Sequence, residues 1–262
     1  MSKRRTIQAL FALVICAVFI IGASRALSAG NQAGKITYMK GSVTAYRDGS
    51  WVKLNNGSPI FKGDMIRTGK KKSRVEIVLS DSSVIRLGKS SKVKISQALF
   101  SSGGKNFSAK LMRGQAYALV SKLTGSGSKF EVKTSNAVAG VRGTTFRIDS
   151  KTDKSTVVRV YTGAVAVSNA PIYAKPGKVK DASGKFQMPR QGVKPGGPGR
   201  VEVAGPHQVT KKEWEEFVAK AMQEVRVAAN GKISAPVAFN SEQDAADEWV
   251  AWNKSRDQQR QE

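Results

Sequence analysis

Residues 129–169 read KFEVKTSNAVAGVRGTTFRIDSKTDKSTVVRVYTGAVAVSN, and their apolar side chains recur at every second position. Clear examples are the pairs Phe130 and Val132, Phe146 and Ile148, Val158 and Val160, and Val165 and Val167. This period is typical of half-buried strands, and helical spacing is absent. Glycines and short polar clusters between the runs supply turns. The stretch therefore predicts a compact β unit.

The same alternation extends upstream as far as Arg74. Short apolar-polar runs begin about every ten residues, a rhythm typical of a β-sandwich, roll or solenoid and not of βαβ units. We expect the apolar face of each strand to turn inward and the charged face to coat the outside. The charged outward positions are Arg74, Glu76, Arg86, Lys92, Lys94 and Lys110.

Several motifs in this part of the chain resemble the FecR domain. They include Val141-Arg142-Gly143-Thr144-Thr145-Phe146, the run from Val158 to Val165, and the upstream run from Gly63 to Thr68. The resemblance covers roughly Lys35 to Asn169 and implies a twisted, solenoid-like stack of short strands. One departure is Ser135, where the family usually has proline.

The resemblance also implies a place in the cell envelope. Family regulators of the anti-sigma type sense an outer-membrane receptor and signal through a membrane helix to a cytoplasmic N-terminal segment. Only eight residues precede the apolar run of this sequence, so we expect no such cytoplasmic segment. The resemblance therefore leaves a role in transcription control open.

The N-terminal residues have the layout of a secretory signal peptide. Basic residues at positions 3–5 precede an uncharged run from Ala9 to Ala23, and Ala26-Leu27-Ser28 resembles a small-x-small cleavage site. The run is short for a membrane-spanning helix, which needs about 20 residues. We expect an exported, periplasmic or cell-surface product, with membrane contact through this segment if it stays uncleaved.

Composition and periodicity divide the chain into four parts. These are a signal peptide (1–28), a FecR-like β domain (34–169), a Pro/Gly/Lys-rich linker (170–209) and a helical C-terminal segment (210–257). The predicted fold is thus mainly β: a short-strand β-solenoid-like or β-roll-like domain followed by a linker and a small α-helical segment.

Two helices are predicted in the C-terminal segment. Thr210 to Glu213 form a capping-box pattern, and apolar residues from Trp214 to Val225 follow at helical spacing. A second, shorter helix is predicted to begin at the cap Ser241. We expect both to dock on the β unit or on each other, and the alternative is an interaction helix for another envelope protein.

The charge is large and unevenly placed. The formal net charge is +25; residues 29–200 carry a net charge of +24, and residues 201–262 one of −3. Such a surplus attracts polyanions. We expect an envelope protein or an anionic envelope polymer as partner. Nucleic acid is a lesser alternative because the strong predicted helix is acidic, and a merely solvated basic surface is a further one.

Two groups of residues are candidates for specific contacts. Lys70, Lys71, Lys72 and Arg74 form the tightest basic cluster, either a polyanion contact or simply the tip of a hairpin.

Trp51 is interpreted as a core aromatic at the end of a small sheet, with carbohydrate stacking as the alternative.

Arg142, Gly143 and Thr144 form a second candidate site. We expect a corner between two strands, in which Gly143 takes a positive φ, Thr144 satisfies amides and Arg142 bonds across the turn. A partner contact through Arg142 is the alternative.

Little in the sequence favours catalysis. The chain has one histidine, His207 in the linker, and one cysteine, Cys16 in the apolar N-terminal run. Carboxylates of the basic part fall mostly at turns or outward strand positions. We therefore predict a protein that is not an enzyme and that uses no metal or cofactor.

Overall fold

The fold is described by a computed structural model for residues 32–101, 104–122, 127–169, 179–180, 186–187 and 218–260. The strands are β1 (Gln32–Lys40), β2 (Val43–Arg47), β3 (Ser50–Lys53), β4 (Pro59–Phe61), β5 (Met65–Thr68), β6 (Arg74–Leu79), β7 (Val84–Leu87), β8 (Lys92–Ser101), β9 (Gly104–Leu119), β10 (Lys129–Lys133), β11 (Ala137–Val141), β12 (Thr145–Ser150), β13 (Thr156–Thr162), β14 (Ala164–Asn169), β15 (Val179–Lys180), β16 (Phe186–Gln187), β17 (Val218–Lys220), β18 (Gln223–Val227) and β19 (Val237–Ala238). The helices are α1 (Ser241–Ala245) and α2 (Glu248–Gln258).

The strands form two sheets that share one long strand. Sheet A has the order β4-β1-β6-β7-β9-β12-β13-β18-β19. Sheet B has the order β3-β2-β5-β8-β9-β10-β11-β14-β17. Only the β9–β10 pair among these is parallel. The prediction of a mainly β domain with a small C-terminal helical segment is confirmed.

Strand β9 passes from one sheet to the other at Gly114. Residues up to Arg113 pair with β8 in sheet B, and residues from Gly114 onward pair with β12 in sheet A. Gly114 has a φ of +92°, and a Cβ at this position would lie 2.6 Å from the Cα of Ser91. Only glycine fits both the backbone conformation and this close approach.

The inward side chains of both sheets form one hydrophobic core. It is filled by aliphatic and phenylalanine side chains that are almost completely buried. At its centre the rings of Phe107 and Phe130 stack with their centroids 4.7 Å apart. Burial of a large apolar side chain contributes about 1.5–3 kcal/mol, so this interior is the main source of stability. The alternation that predicted the strands reflects this two-sheet burial.

The helix predicted from Trp214 to Val225 is wrong where the structure describes it. Residues 218–227 form the strands β17 and β18, joined by a turn in which Met222 has a φ of +64°. Strand β17 pairs with β14 in sheet B, and β18 pairs with β13 in sheet A. Residues 210–217 lie outside the described part.

The second predicted helix is confirmed, but its cap is Asn240 instead of Ser241, and the helix is interrupted. Helix α1 begins at Ser241 and ends at Ala245, and α2 follows directly. Their caps are Asn240, whose side chain accepts the Gln243 amide, and Asp247, whose side chain accepts the Trp249 amide. Such caps satisfy amides that lack partners at helix starts. Both α1 and α2 lie on the outer face of sheet A, so the expected docking on the β unit is confirmed for the second predicted helix.

Several predictions fall on residues that the structure does not describe. They concern the signal peptide with Cys16, most of the linker and His207. Within the predicted linker, the described residues form the short antiparallel pair β15–β16. Across the described ranges, neither helix has the length and apolar character needed to cross a bilayer.

Candidate functional site: one covered face and one open face

The corner at Arg142, Gly143 and Thr144 lies between β11 and β12. Gly143 has a φ of +61°, in the left-handed region that favours glycine. The hydroxyl of Thr144 donates to the carbonyl oxygen of Ala164 at 2.9 Å, with that of Arg142 at 3.3 Å, so it bonds a carbonyl instead of satisfying amides. Because Thr144 is buried, its hydroxyl ties the corner to the start of β14.

Arg142 does not bond across this turn. Its side chain is exposed, and no hydrogen bond or ion pair joins its guanidinium to another described residue. The corner is therefore held by Gly143 and Thr144, and Arg142 is available at the surface.

The basic cluster of the β5–β6 turn is split in the structure. Lys70, Lys71 and Lys72 are exposed in the turn, whereas Arg74 is half-buried at the start of β6. The guanidinium of Arg74 lies 4.8 Å from the ring centre of Trp252 and 3.6 Å from the carboxylate of Glu248. Arg74 therefore belongs to the contact between sheet A and α2.

A cavity of about 630 Å³ separates this turn from the start of α2. It is lined by Lys70, Lys71, Lys72, Arg74 and Lys89, and by Trp249 and Glu248 of the helix. The lysines predicted to contact a polyanion thus share one opening.

The outer face of sheet A carries a buried ionic cluster that the sequence did not reveal. Glu76 and Arg86, predicted to be solvated, are both 0% exposed because α2 covers them. The Arg86 Nε donates to Glu76 at 2.7 Å, and its Nη1 donates to Asp257 of α2 at 2.6 Å. Arg256 of α2 adds a second cation, 2.7 Å from Glu76.

Glu76 is held in its charged form by these partners. Burial alone would raise the pKa of Glu76, but hydrogen bonds from Arg256, Thr37 and Arg86 outweigh it and lower the pKa to about 2. Glu76 is therefore ionised at neutral pH.

A second ionic cluster lies under α1 and the start of α2. Arg147 contacts Asp149 at 2.9 Å and Asp247 at 3.2 Å, and Arg159 contacts Glu224 at 2.8 Å. Burial raises the pKa of Asp149 despite the two arginines beside it. Charges of both signs are thus packed together where the sequence predicted solvent.

Two tyrosines complete the contact between sheet A and the helices. The hydroxyl of Tyr117 donates to Asp257 at 2.6 Å, and that of Tyr161 donates to Asp244 at 2.9 Å. Burial, together with the adjacent carboxylate in each case, raises the pKa of both tyrosines. Both hydroxyls therefore stay protonated and act as donors.

The contact of α2 with sheet A is incompletely satisfied. Four buried side-chain atoms of the described residues have no hydrogen-bond partner, and all four lie at this contact: Arg74 Nε, Arg86 Nη2, Trp249 Nε1 and Asn253 Oδ1. Most buried polar atoms in folded proteins are paired. The unpaired buried atoms of the described residues are thus concentrated where α2 meets sheet A.

The outer face of sheet B is open and basic. Residues that are paired on neighbouring strands form a first row of side chains on this face: Lys53, Thr44, Arg67, Lys92 and Arg113. A second, parallel row consists of Trp51, Tyr46, Met65, Lys94, Lys110 and Lys133. We call these two rows together the basic face. Neither row contains an acidic residue.

Trp51 is on this open face and not in the core. Its side chain is 41% exposed, and its ring lies 5.4 Å from that of Tyr46, which is 40% exposed. The guanidinium of Arg67 lies 4.0 Å from the ring centre of Trp51. The interpretation of Trp51 as a core residue is wrong, and the carbohydrate-stacking alternative stays open.

The described residues contain no group of three or more histidine, cysteine, aspartate or glutamate side chains that would hold a metal ion.

Comparison with known proteins locates the family likeness in the middle of the fold. The family model described as "FecR protein" matches residues 64–166, from the start of β5 to β14. The match covers less than half of the chain and confirms the resemblance over those residues. The Val-Arg-Gly-Thr corner and the greater part of the basic face lie inside it.

Two solved structures also resemble this chain. They are crystal structures, at 1.65 and 2.50 Å resolution, of a proposed anti-sigma factor from Parabacteroides distasonis ATCC 8503. Each aligns at 17% sequence identity with a TM-score of 0.42, covering 68% of this chain and 62% of that one. This chain thus spans less than two thirds of their length. No curated protein matches it.

Proposed function

We propose that this protein is an exported, non-catalytic interaction module of the cell envelope, with a FecR-type role in signalling or regulation. Its location is periplasmic or at the cell surface. The FecR match at residues 64–166 supports the regulatory class, and the signal-peptide pattern of residues 1–28 supports export. Its partner is an envelope protein or an anionic envelope polymer.

The observation that carries this proposal is the contrast between the two sheets. The outer face of sheet A is occupied by the chain's own C-terminal helices. The outer face of sheet B has no such cover from any described residue and presents cations and aromatic rings to solvent. A face left open in this way is where a partner binds.

A second candidate is a membrane-tethered regulator, which the FecR match also favours. The two differ in the fate of residues 9–23, the apolar run. In the tethered form this run is retained as an anchor. In the first form the run is removed.

Cell fractionation followed by N-terminal sequencing of the mature protein tests the proposal. An N-terminus near residue 29, in the periplasmic or surface fraction, supports the exported module. An intact N-terminus in the membrane fraction supports the tethered regulator. Full-length protein in the cytosol contradicts both.

A further inference from the structure

The basic face has the charge and shape of a binding surface for a linear anion. We propose that it binds an extended acidic polysaccharide, with a carboxylate on each sugar, laid across the strands from β3 to β10. This inference rests on the proposed function, because it names the partner class of the same open face.

Six of the seven cations on this face have no ion-pair partner among the described residues and can meet a ligand directly. Seven cations occupy the two rows: Lys53, Arg67, Lys92, Lys94, Lys110, Arg113 and Lys133. Among the described residues, only Lys133 of these forms an ion pair, with Glu131 at 3.0 Å. The other six have no carboxylate partner there, so their field is directed at solvent.

The geometry of the rows matches a linear polymer. Lys94, Lys110 and Lys133 lie directly opposite one another on three neighbouring strands, β8, β9 and β10. Neighbouring strands are about 4.8 Å apart, so this part of the row presents a cation on each of three successive strands. A polymer with one charge on each repeating unit pairs with such a row along its length. A small anion uses only part of it.

The aromatic pair at one end of the second row favours sugar. Trp51 and Tyr46 expose their rings on the same face as the lysines, and Arg67 lies against Trp51. A large aromatic ring with a polar edge packs against the apolar side of a sugar ring. The face thus combines charge attraction with one ring contact at the β2–β3 end.

The arrangement fits single-stranded nucleic acid less well. Proteins that bind single strands alternate cations with aromatic rings on which successive bases stack. From Lys94 to Lys133 the second row has lysines and no ring between them. The aromatic residues of both rows are confined to β2 and β3.

The proposal is tested by titrating the purified protein, in the form recovered from the cell envelope, with polygalacturonate. Dextran serves as the neutral control polymer.

The variant Lys94→Gln/Lys110→Gln/Lys133→Gln is compared with Lys151→Gln/Lys232→Gln/Lys254→Gln, which removes the same charge from exposed positions outside the basic face. We expect the first triple variant to bind roughly tenfold more weakly, since each exposed pair contributes about 0.2–1 kcal/mol. It should also show a shallower dependence of affinity on salt than the unchanged protein. The second triple variant should bind like the unchanged protein.

The aromatic contact is tested with Trp51→Ala at high salt. Charge attraction is screened there, so loss of the ring should weaken polygalacturonate binding more clearly than at low salt. Circular dichroism melting of every variant separates loss of binding from loss of fold.

Four outcomes overturn the inference. They are equal losses in both triple variants, equal affinity for dextran, tighter binding of a single-stranded oligonucleotide of the same charge, and tighter binding to phosphatidylglycerol vesicles. The last two reassign the basic face to nucleic acid or to a membrane surface. The two proposals can be separated by experiment. A failed polygalacturonate titration does not change the result of fractionation and N-terminal sequencing, and evidence against export does not change the result of the titration.

Discussion

At the scale of single residues, the corner between β11 and β12 depends on one backbone conformation and one buried hydroxyl. Gly143 takes the positive φ that turns the chain, and Thr144 bonds the carbonyl of Ala164. A Cβ at position 143 would lie 3.1 Å from Cγ of Lys122, the side chain of which is flexible. The Cβ would also lie 3.4 Å from the Cα of Lys122, so the cost of substitution comes mainly from the backbone conformation, with this tight contact added to it.

We expect Gly143→Val to lower the free energy of unfolding by about 1–3 kcal/mol, because a β-branched residue is strongly disfavoured at positive φ. Urea denaturation measures the change. Gly143→Asn is the matched control, since asparagine tolerates this conformation and should cost clearly less. Equal stabilities of the valine variant and the unchanged protein would remove the requirement for glycine.

Glu76 is the second residue on which much depends. Its carboxylate accepts from Thr37, Arg86 and Arg256, and it is completely buried. Removing one member of such a buried cluster leaves the others without compensation, at a cost of about 3–5 kcal/mol. The charge of Glu76 therefore contributes to stability only while it stays ionised.

This predicts a particular acid sensitivity. The pKa of Glu76 is about 2 in the folded protein, below its ordinary value of 4.5. A lowered folded pKa gives stability that is complete above about pH 4.5 and is lost as the pH falls toward 2. Unfolding free energies measured from pH 6 to pH 2 should show this loss.

The variant Glu76→Gln isolates the contribution. It should be less stable at neutral pH and should lose less stability than the unchanged protein between pH 4.5 and 2. Glu248→Gln, which removes an exposed carboxylate from the same contact, is the control. If both variants follow the unchanged protein in acid, Glu76 is not the responsible group.

At the scale of elements, the strands β17 and β18 show why a strong helical pattern gave the wrong structure. Apolar residues from Phe217 to Val225 fit helical spacing, but Val225 and Val227 also alternate, and both are completely buried. The sequence does not show that β13 and β14 each leave one edge unpaired in the two sheets. Pairing those edges satisfies backbone groups that would otherwise be exposed, and this tertiary gain outweighs helix propensity.

The elements of the β unit were predictable because each has one buried and one outward face. What alternation could not predict was which outward face would be covered. Glu76 and Arg86 read as solvated residues, yet helix residues about 170 positions later in the chain bury them. Contacts so distant in sequence leave no local pattern.

Helix α2 should be the first element to open. Asp257 accepts from both Arg86 and Tyr117, so Asp257→Asn removes the charge that holds the C-terminal half of α2. We expect amide hydrogen exchange in α2 to rise roughly tenfold, equivalent to about 1.4 kcal/mol, while exchange in β9 and β12 stays unchanged. Lys254→Gln, at an exposed position of the same helix, is the control. Equal acceleration in the strands would mean that α2 and the sheets open together.

At the scale of the whole molecule, the charge imbalance of the sequence is distributed over two surfaces. The acidic C-terminal segment neutralises part of sheet A, and the basic face of sheet B is left without a counterpart among the described residues. The sequence predicted both the basic surplus and the acidic segment. It could not predict the rows of the basic face, because residues such as Lys94, Lys110 and Lys133 become neighbours only through strand register.

The most direct test of an envelope module that binds through sheet B is position-specific photo-cross-linking in intact cells. A cross-linking residue replaces Lys110 on the basic face in one variant and Lys254 on α2 in another, both at exposed positions. The account predicts adducts with an envelope component from position 110 and none from position 254. Adducts from position 254 alone, or from neither position in protein confirmed to be exported, would contradict it.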